Sequence, residues 1–319
     1  MVQLAQSNSP IRAIYRNPHK INEVKALFDF YNVSGLFSKI EWIKGDVTDA
    51  AFVNDVTAGA SEIYHCAAMV SFNPSRKRQL YRVNVYGTQN IVNAALINRV
   101  EKLGYISSTA AVGKNLNGTT DETCEWSFDQ NPSNYSISKY YAELEVWRGI
   151  SEGLNAAIVN PSIILGAGNW NSGSNAIIRK VYDGLKFYTS GKNGFVNVRD
   201  VAQLLLMLME KEIFNERFLV VSENLHYKEL FEKIAAVFNV TPPHIEARKW
   251  QMDIIAFLEN IRCKITRTEP LITKETIQSS ITQNAYSNEK IKQFFPDFQF
   301  TDIQTTLQET KNFIFKKGV

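Results

Sequence analysis

Short apolar runs alternate with longer segments of helical periodicity along the first half of the chain. The predicted strands are Ile11–Tyr15, Ile40–Lys44, Glu62–Ala67, Leu103–Ser107 and Asn155–Val159. Apolar residues recur at helical spacing between them, and the predicted helices are Ile21–Phe30, Gln79–Ile97 and Tyr135–Ile150. Strands and helices that alternate at this length predict an α/β fold, a Rossmann-type doubly wound parallel sheet with helices on both faces.

The pattern changes after Gly166, where GAGNWNSGSN is typical of a loop. Gly194–Glu223 predicts a strand, an apolar helix and another strand that return to the first sheet. From His226 onward, helical patches are separated by TPPH and TEP breaks. We therefore expect a partial nucleotide-binding domain over 1–168, completed by 194–223. A smaller, mostly helical substrate-binding lobe would comprise 169–193 and 224–319.

Composition narrows the functional class. With 319 residues, 45% of them hydrophobic, the chain can bury a large core, and its net charge of +3 is too small to indicate nucleic acid. The basic run Arg76–Arg78 is interpreted as a solvated helix face. No segment approaches the roughly 20 apolar residues of a membrane span, and the first residues do not resemble a signal peptide. We expect a cytoplasmic protein.

The cysteines and histidines give no sign of a metal site. Cys66, Cys124 and Cys263 are far apart and odd in number, so they fit neither a disulfide framework nor a metal-binding spacing. The four histidines are equally scattered. We expect a site without metal, and we interpret His65 as a structural residue at the end of a strand.

Candidate chemistry lies in NYSISKYYAE, at Asn134–Glu143. Tyr135 and Lys139 are four residues apart, so on a helix they project from one face. A free tyrosine has a pKa of about 10, and a nearby ammonium lowers it towards neutral pH. Upstream, a strand ends in Ser107-Ser108-Thr109, where a hydroxyl could hydrogen-bond a carbonyl oxygen that Tyr135 protonates.

Several motifs follow one another along nearly the whole chain: IYHCAA, YRVNVYGTQNIVNAA, YISSTAAVG, YSISK, VNPSIILG and FVNVRDVA. In this order and spacing they resemble an extended short-chain dehydrogenase/reductase of the NAD-dependent epimerase/dehydratase superfamily. The resemblance implies a catalytic triad of Ser108, Tyr135 and Lys139, with Thr109 as the alternative hydroxyl. Tyr135 would be the general acid/base, and Lys139 would lower its pKa and bind the nicotinamide ribose.

The same resemblance implies positions for the dinucleotide. Those expected at the adenine are Asp46 and Val47; beside the cofactor backbone, Cys66, Ala67 and Ala68; and along the nicotinamide, Pro161, Ser162, Ile163 and Ile164. Asn84 would support the helix that carries Tyr135. After the strand Ile11–Tyr15 comes Arg16, with no acidic residue until Glu23. An arginine there suits a 2′-phosphate, so we predict NADP, with NAD as the alternative.

The later segments AFLENIRCKITRTEPLITKETI and AYSNEKIKQFFPDFQFTDIQTTLQET resemble the dihydroflavonol-4-reductase and 3β-hydroxysteroid-dehydrogenase-like branch. That branch implies reduction of a ketone or aldehyde, or the reverse oxidation, on a fairly apolar small molecule. Met69, Phe72 and Trp170 would suit its pocket, or would simply be core residues. The family also implies a homodimer.

Three alternatives stay open. One is a sugar-nucleotide epimerase of the same superfamily, against which Arg16 argues. Another is a non-catalytic nucleotide-sensing or scaffold protein, or an inactive truncated fragment. The third is a protein acting on a lipid surface through Trp250–Leu258, although a buried lobe helix is the simpler interpretation of that segment.

The first residues, MVQLAQSNSPIRAIYRNP, resemble the end of the family's first helix followed by its second strand. The family fold begins with a strand and a G-x-x-G-x-x-G turn that holds the pyrophosphate at a helix N-terminus. The printed chain contains neither. We therefore expect Met1 to be an internal methionine of a longer reading frame, the sheet to be destabilised, and this chain to bind dinucleotide poorly.

Overall fold

The structure is a computed structural model that describes residues 1–7, 9–115, 118–130, 132–248, 250–254, 262 and 273–316. Cys263 lies outside these ranges. So do residues 255–258 of the segment Trp250–Leu258 and most of the segment 256–277, up to residue 272. In chain order the strands are β1 Ile11–Tyr15, β2 Ile40–Lys44, β3 Glu62–His65, β4 Lys102–Ile106, β5 Ala156–Pro161, β6 Ile163–Leu165, β7 Phe187–Tyr188, β8 Lys192–Asn197, β9 Glu216–Val220, β10 Glu223–His226 and β11 Ile245–Glu246.

The described α-helices alternate with these strands in the first half of the chain. They are α1 His19–Phe30, α2 Ala50–Thr57, α3 Lys77–Leu80, α4 Gly87–Ile97, α5 Asn134–Ser151, α6 Ala176–Tyr182, α7 Val198–Glu210, α8 Tyr227–Phe238, α9 Lys274–Ile281, α10 Glu289–Phe294 and α11 Ile303–Lys316. A π-helical turn, Tyr81–Tyr86, joins α3 to α4. None of the described helices is long and apolar enough to cross a membrane.

The main sheet is parallel and confirms the predicted fold class. Its strand order is β3-β4-β5-β9, and β1 and β2 form a separate parallel pair. In the Rossmann strand order 3-2-1-4-5-6, strand 1 lies between strands 2 and 4. Strands 2 and 4 of that order correspond here to β1 and β3. Between these two strands the described residues contribute no hydrogen-bonded strand, so the sheet is present in two pieces.

Helices cover both faces of the main sheet. On one face α4 and α5 bury Val92, Ala95, Ala142 and Val146 against β4 and β5. On the other face α7 packs its apolar side against β4 and β5. Burial on both faces explains why β5 is buried at every position and begins with the apolar run Ala156–Val159 rather than alternating.

The second half is less helical than expected. Strands β6, β8 and β10 form a mixed three-stranded sheet, and β7 pairs with β11. Helices α6, α8 and α11 pack around Trp170, Phe195 and Leu307. Within 194–223, β9 pairs with β5 of the main sheet and α7 packs on that sheet, whereas β8 pairs with β6 in the smaller sheet.

Several boundaries differ from the prediction for local reasons. β3 ends at His65, because Cys66 and Ala67 continue as exposed chain without a ladder partner. The helix predicted over Gln79–Ile97 begins at Lys77 and contains the π-helical turn. The N-terminal residues form only a 3₁₀ turn, Leu4–Gln6, whose buried Ala5 packs near β1.

Candidate active site

The candidate site lies at the carboxyl ends of β4 and β5, where ligands bind in folds of this class. Ser108 follows β4 and caps a 3₁₀ turn, its Oγ accepting a hydrogen bond from the Ala110 N–H at 3.1 Å. Ser133 caps α5 by accepting from the Ser136 N–H at 3.1 Å. Each cap satisfies a backbone donor at a helix start and so stabilises the turn or helix that begins beside the site.

Ser108 and Tyr135 meet in this site. The Ser108 hydroxyl is close enough to Tyr135 to lower its pKa, but burial raises that pKa by more, so it lies above its ordinary value. Tyr135 is therefore a neutral phenol. Thr109, the alternative hydroxyl, is buried and acts on Tyr286 instead, whose pKa it lowers. Ser108 is thus the hydroxyl that the structure brings to Tyr135.

Lys139 lies on the same face of α5, but its ammonium points elsewhere. It is 2% exposed, and Nζ donates to Tyr105 Oη at 2.9 Å and to the Ile106 carbonyl at 3.0 Å. Burial lowers the pKa of Lys139 to about 8, against the opposing effects of Glu143 and Cys66. The expectation that Lys139 lowers the pKa of Tyr135 is not met here, because the ammonium is turned towards Tyr105.

His65 is structural, in agreement with the interpretation from the sequence. Its ring stacks on Tyr105 at 5.4 Å between centroids, and Nε2 lies 2.9 Å from Thr88 Oγ1. Burial, helped by the charge of Lys139, lowers the pKa of His65 to about 3. The imidazole therefore stays neutral beneath the site.

Asn84 supports the helix of Tyr135, as the resemblance implied. Its Oδ1 accepts from the Met69 N–H at 2.7 Å, and its Nδ2 donates to the Met69 carbonyl at 3.0 Å and to Ser138 Oγ at 2.9 Å. Asn84 lies in the π-helical turn, a feature often found at functional sites. The turn directs this amide towards both α5 and the loop after β3.

Arg16 follows β1 and Asp46 lies shortly after β2, and their side chains form an ion pair at the carboxyl ends of these strands. Arg16 Nη1 lies 3.4 Å from Asp46 Oδ2, and Asp46 Oδ1 accepts from the Thr48 N–H at 2.9 Å. Partial burial would raise the pKa of Asp46, but hydrogen bonds from Thr48 and the nearby Arg16 together lower it. The Arg16 side chain is 59% exposed, and Asp46 occupies one of its five N–H donors.

The other predicted cofactor positions differ in accessibility. Cys66, Ala67 and Ala68 are exposed, and their small side chains leave the backbone approachable. Val47 is buried because α4 approaches closely: a Cβ on Gly87 would lie 2.9 Å from Val47 Cγ2. Among the nicotinamide positions, Pro161 and Ser162 are buried whereas Ile163 and Ile164 are partly accessible.

On the substrate side, one of the three predicted pocket residues is clearly placed. The Phe72 ring lies 5.8 Å from the Tyr135 ring, and Met69 is held next to Asn84. Trp170 is a core residue: it is 5% exposed and packs against Tyr182 and Phe238. For Trp170, core packing is the interpretation that the structure supports.

Two residues that shape the site were not predicted from the sequence. Tyr105, in β4, is the acceptor for Lys139, and Glu143 lies buried one turn beyond Lys139 on α5. The spacing of four between Lys139 and Glu143 is a signal that the sequence contains. Tyr105 has no such signal, because any aromatic residue suits a buried strand.

These residues fit a dinucleotide. Arg16 supplies a guanidinium at one end of the site, and Cys66, Ala67 and Ala68 supply approachable backbone in the middle. The hydroxyls of Ser108 and Tyr135 lie at the other end. Ligands bind at these carboxyl ends of parallel strands in folds of this class. The part of the chain that the structure describes contains no cluster of three or more metal-ligating side chains.

Comparison with known proteins gives relatives of the expected kind. The chain is 28% identical to sterol demethylase protein B of Methylococcus capsulatus over 255 residues, 78% of this chain and 76% of that protein. It is 30% identical to cinnamoyl-CoA reductase 1 of Oryza sativa subsp. japonica over 217 residues, 65% and 63% of the two chains. A putative dihydroflavonol 4-reductase of Synechocystis is 25% identical over 263 residues, 80% and 76% of the two chains.

Solved structures and family models agree with this result. The crystal structure of gox2253 superposes with a TM-score of 0.79 at 25% identity, covering 99% of this chain and 93% of that one. Residues 2–220 match the model of the NAD dependent epimerase/dehydratase family, which is more than half of the chain. The resemblance drawn from the motifs is thereby confirmed, and the chain belongs to the NAD dependent epimerase/dehydratase family.

Proposed function

We propose that the protein is an NAD(P)-dependent oxidoreductase that interconverts a carbonyl and an alcohol on a small molecule. The observation that carries this proposal is the proximity of the Ser108 hydroxyl to Tyr135, with Lys139 buried on the same face of α5. A protein that only binds a nucleotide has no need of a phenol placed for proton transfer. The reductase names of its relatives support the same conclusion.

The proposed chemistry assigns each residue a task. The nicotinamide, when bound, supplies or accepts the hydride at the substrate carbon. In the reducing direction Tyr135 donates its proton to the substrate oxygen, which converts C=O to CH–OH and leaves a phenolate. Ser108 donates a hydrogen bond to the same oxygen and orients it. To stabilise the phenolate, the Lys139 ammonium has to turn from Tyr105 towards Tyr135, which lies one helical turn away.

We propose NADP(H) as the preferred cofactor. Arg16 stands at the end of β1, where this fold recognises the 2′ position of the adenosine ribose. Its free donors suit a phosphate, and its contact with Asp46 holds the guanidinium at that edge. Cys66, Ala67 and Ala68 would lie along the cofactor backbone, and Ile163 and Ile164 along the nicotinamide.

We propose a fairly apolar substrate, bound between the site and the lobe formed by 169–193 and 224–319. Phe72 beside Tyr135 offers an apolar wall for it. The relatives named for sterol and cinnamoyl substrates support this class. A ketone or aldehyde on an apolar molecule is therefore favoured over a nucleotide sugar.

We further propose that the protein is a cytoplasmic homodimer. Several large apolar side chains are exposed: Tyr86 directly before α4, Phe128 in the 3₁₀ turn before α5, and Tyr141 and Leu144 on α5. Contact between two copies would remove this surface from water. Light scattering during gel filtration tests the dimer, and a monomeric mass at micromolar concentration would contradict it.

The function is tested by a panel of aldehydes and ketones assayed with NADPH and with NADH. We expect NADPH oxidation with apolar carbonyls, and loss of turnover in Tyr135→Phe with NADPH affinity largely retained. Tyr141→Phe, an exposed tyrosine on the same helix, is the matched control and should keep its activity. Unchanged turnover in Tyr135→Phe would refute the mechanism. Conversion of a nucleotide sugar without net NADPH oxidation would favour the epimerase alternative.

A further inference from the structure

Glu143 is a buried carboxylate on the active-site helix for which the proposed chemistry has no task. It follows Lys139 by four residues and Tyr135 by eight, so the three side chains share one face of α5. Its side chain is 3% exposed. A carboxylate at such a depth is costly unless it is well satisfied, so its partners indicate its purpose.

Four donors converge on this carboxylate. Oε2 accepts from Ser107 Oγ at 2.5 Å and from Asn160 Nδ2 at 2.6 Å. Oε1 accepts from Trp147 Nε1 and from Arg217 Nη1, each at 3.3 Å. Indole, guanidinium and amide nitrogens can only donate. The environment is therefore built for the ionised form of Glu143.

One path leads from Glu143 to Lys139. Ser107 Oγ donates to Glu143, and the carbonyl of the preceding residue, Ile106, accepts from Lys139 Nζ at 3.0 Å. The negative charge of Glu143 raises the pKa of Lys139 and so opposes the lowering caused by burial. The other titratable groups near Lys139 are His65, Cys66, Tyr105 and, one helical turn before it, Tyr135, so among the described residues Glu143 is the carboxylate that acts on it.

A second path leads to Ser108. The Asn160 side chain donates from Nδ2 both to Glu143 Oε2 and to the Ser108 carbonyl, the latter at 3.0 Å. Asn160 is buried in β5, so the amide bridges the helix and the end of β4. The carboxylate thus fixes the backbone of the residue whose hydroxyl meets Tyr135.

We propose that Glu143 is a positioning residue of this site, a buried counter-ion that keeps Lys139 charged and, through Asn160, holds the backbone beside Ser108. This inference rests on the proposed function, because it concerns the same lysine and serine. It adds a residue that does not touch the substrate to those that do.

The test compares pH profiles of Glu143→Gln and Glu143→Asp with the unaltered chain. Gln keeps the shape of the side chain but removes its charge, so Lys139 should lose its proton at lower pH. The alkaline limb of the kcat–pH profile should then move to lower pH by about one unit. Asp restores the charge and should return the limb towards its original position. Glu145→Gln, which removes a partly exposed carboxylate on the same helix, should leave it in place. A lower stability without movement of the limb would overturn the proposal.

A readout without turnover separates this inference from the proposed function. The 13Cε chemical shift of Lys139, assigned with Lys139→Met, should titrate at lower pH in Glu143→Gln than in the unaltered chain. If no carbonyl is reduced, the proposed function fails, yet this titration still decides the role of Glu143: an unmoved midpoint overturns it. Should Glu143→Gln not fold, Ser107→Ala removes the hydrogen bond from Ser107 to Glu143 and should lower the titration midpoint of Lys139 by a smaller amount. An unchanged midpoint in Ser107→Ala would also overturn the proposal.

Discussion

The ammonium of Lys139 donates a hydrogen bond to the hydroxyl of Tyr105, with 2.9 Å between Nζ and Oη. Nζ also lies 4.7 Å from the centroid of the same ring. Tyr105, rather than Tyr135, holds the lysine in place. The strand β4 therefore supplies the anchor that positions the charge on α5, and Ser108 follows this strand in the chain.

Replacing Tyr105 with Phe should destabilise the protein while keeping its packing. The ring would remain, but Lys139 would lose one of its two buried acceptors, which costs about 1–3 kcal/mol. Urea denaturation monitored by circular dichroism measures the loss. Tyr86→Phe removes a hydroxyl from an exposed ring and should be neutral. Equal stabilities for the two variants would contradict the role of this hydrogen bond.

Replacing Asn84 with Ala should lower kcat more than it raises KM for the carbonyl. Both groups of this buried amide are used, on Met69 and on Ser138, so their loss frees the loop beside the site from α5. We expect kcat to fall about tenfold or more, because small displacements of catalytic groups are costly. Asn93→Ala, which removes an exposed contact to Arg148, is the control. Similar kcat values in both variants would argue against the support role.

Much of the fold could be predicted because its signals are local. The apolar runs Ile11–Tyr15 and Ile40–Lys44 are strands with the predicted bounds, since each is short and bounded by polar or turn residues. The helix carrying Tyr135 and Lys139 differs by only one residue at each end. The short strands β6, β7 and β11 in the second half were not predicted, because strands of two or three residues have no periodicity to detect.

The site was predictable in its membership but not in its contacts. Spacing put Tyr135 and Lys139 on one face, yet it could not tell that Lys139 turns towards Tyr105 of a different element. Nor could it separate Ser108 from Thr109, because adjacent residues after a strand point in directions that only the tertiary packing decides. Trp170 shows the same limit, since an aromatic residue suits a pocket and a core equally well.

Replacing Arg16 with Ala should weaken NADPH use selectively. A charged hydrogen bond to phosphate is worth about 1.5–3 kcal/mol, so KM for NADPH should rise by about tenfold or more while KM for NADH changes little. Steady-state kinetics with both cofactors measure the ratio. Lys25→Ala, which removes an exposed positive charge from α1, should leave the ratio unchanged. A parallel rise for both cofactors would show that Arg16 does not read the 2′ position.

Acid should destabilise the protein through His65. The pKa of this imidazole is lowered to about 3 in the folded state, from an ordinary value of 6.5, because burial disfavours the charged form. Above pH 6.5 neither the folded nor the unfolded chain holds this proton, so His65 does not contribute to pH dependence. Below it, only the unfolded chain binds the proton, and stability is lost at up to about 1.4 kcal/mol per pH unit.

The measurement is the free energy of unfolding in urea at pH 7.0, 6.0 and 5.0, for the unaltered chain and for His65→Asn. The variant is expected to be less stable at every pH, because Asn fills the site poorly beside Tyr105 and Thr88. The informative quantity is the loss of stability between pH 7.0 and 5.0, which should be larger for the unaltered chain by about 2 kcal/mol. Parallel slopes would mean that His65 is protonated in the folded protein, and the neutral imidazole beneath the site would have to be abandoned.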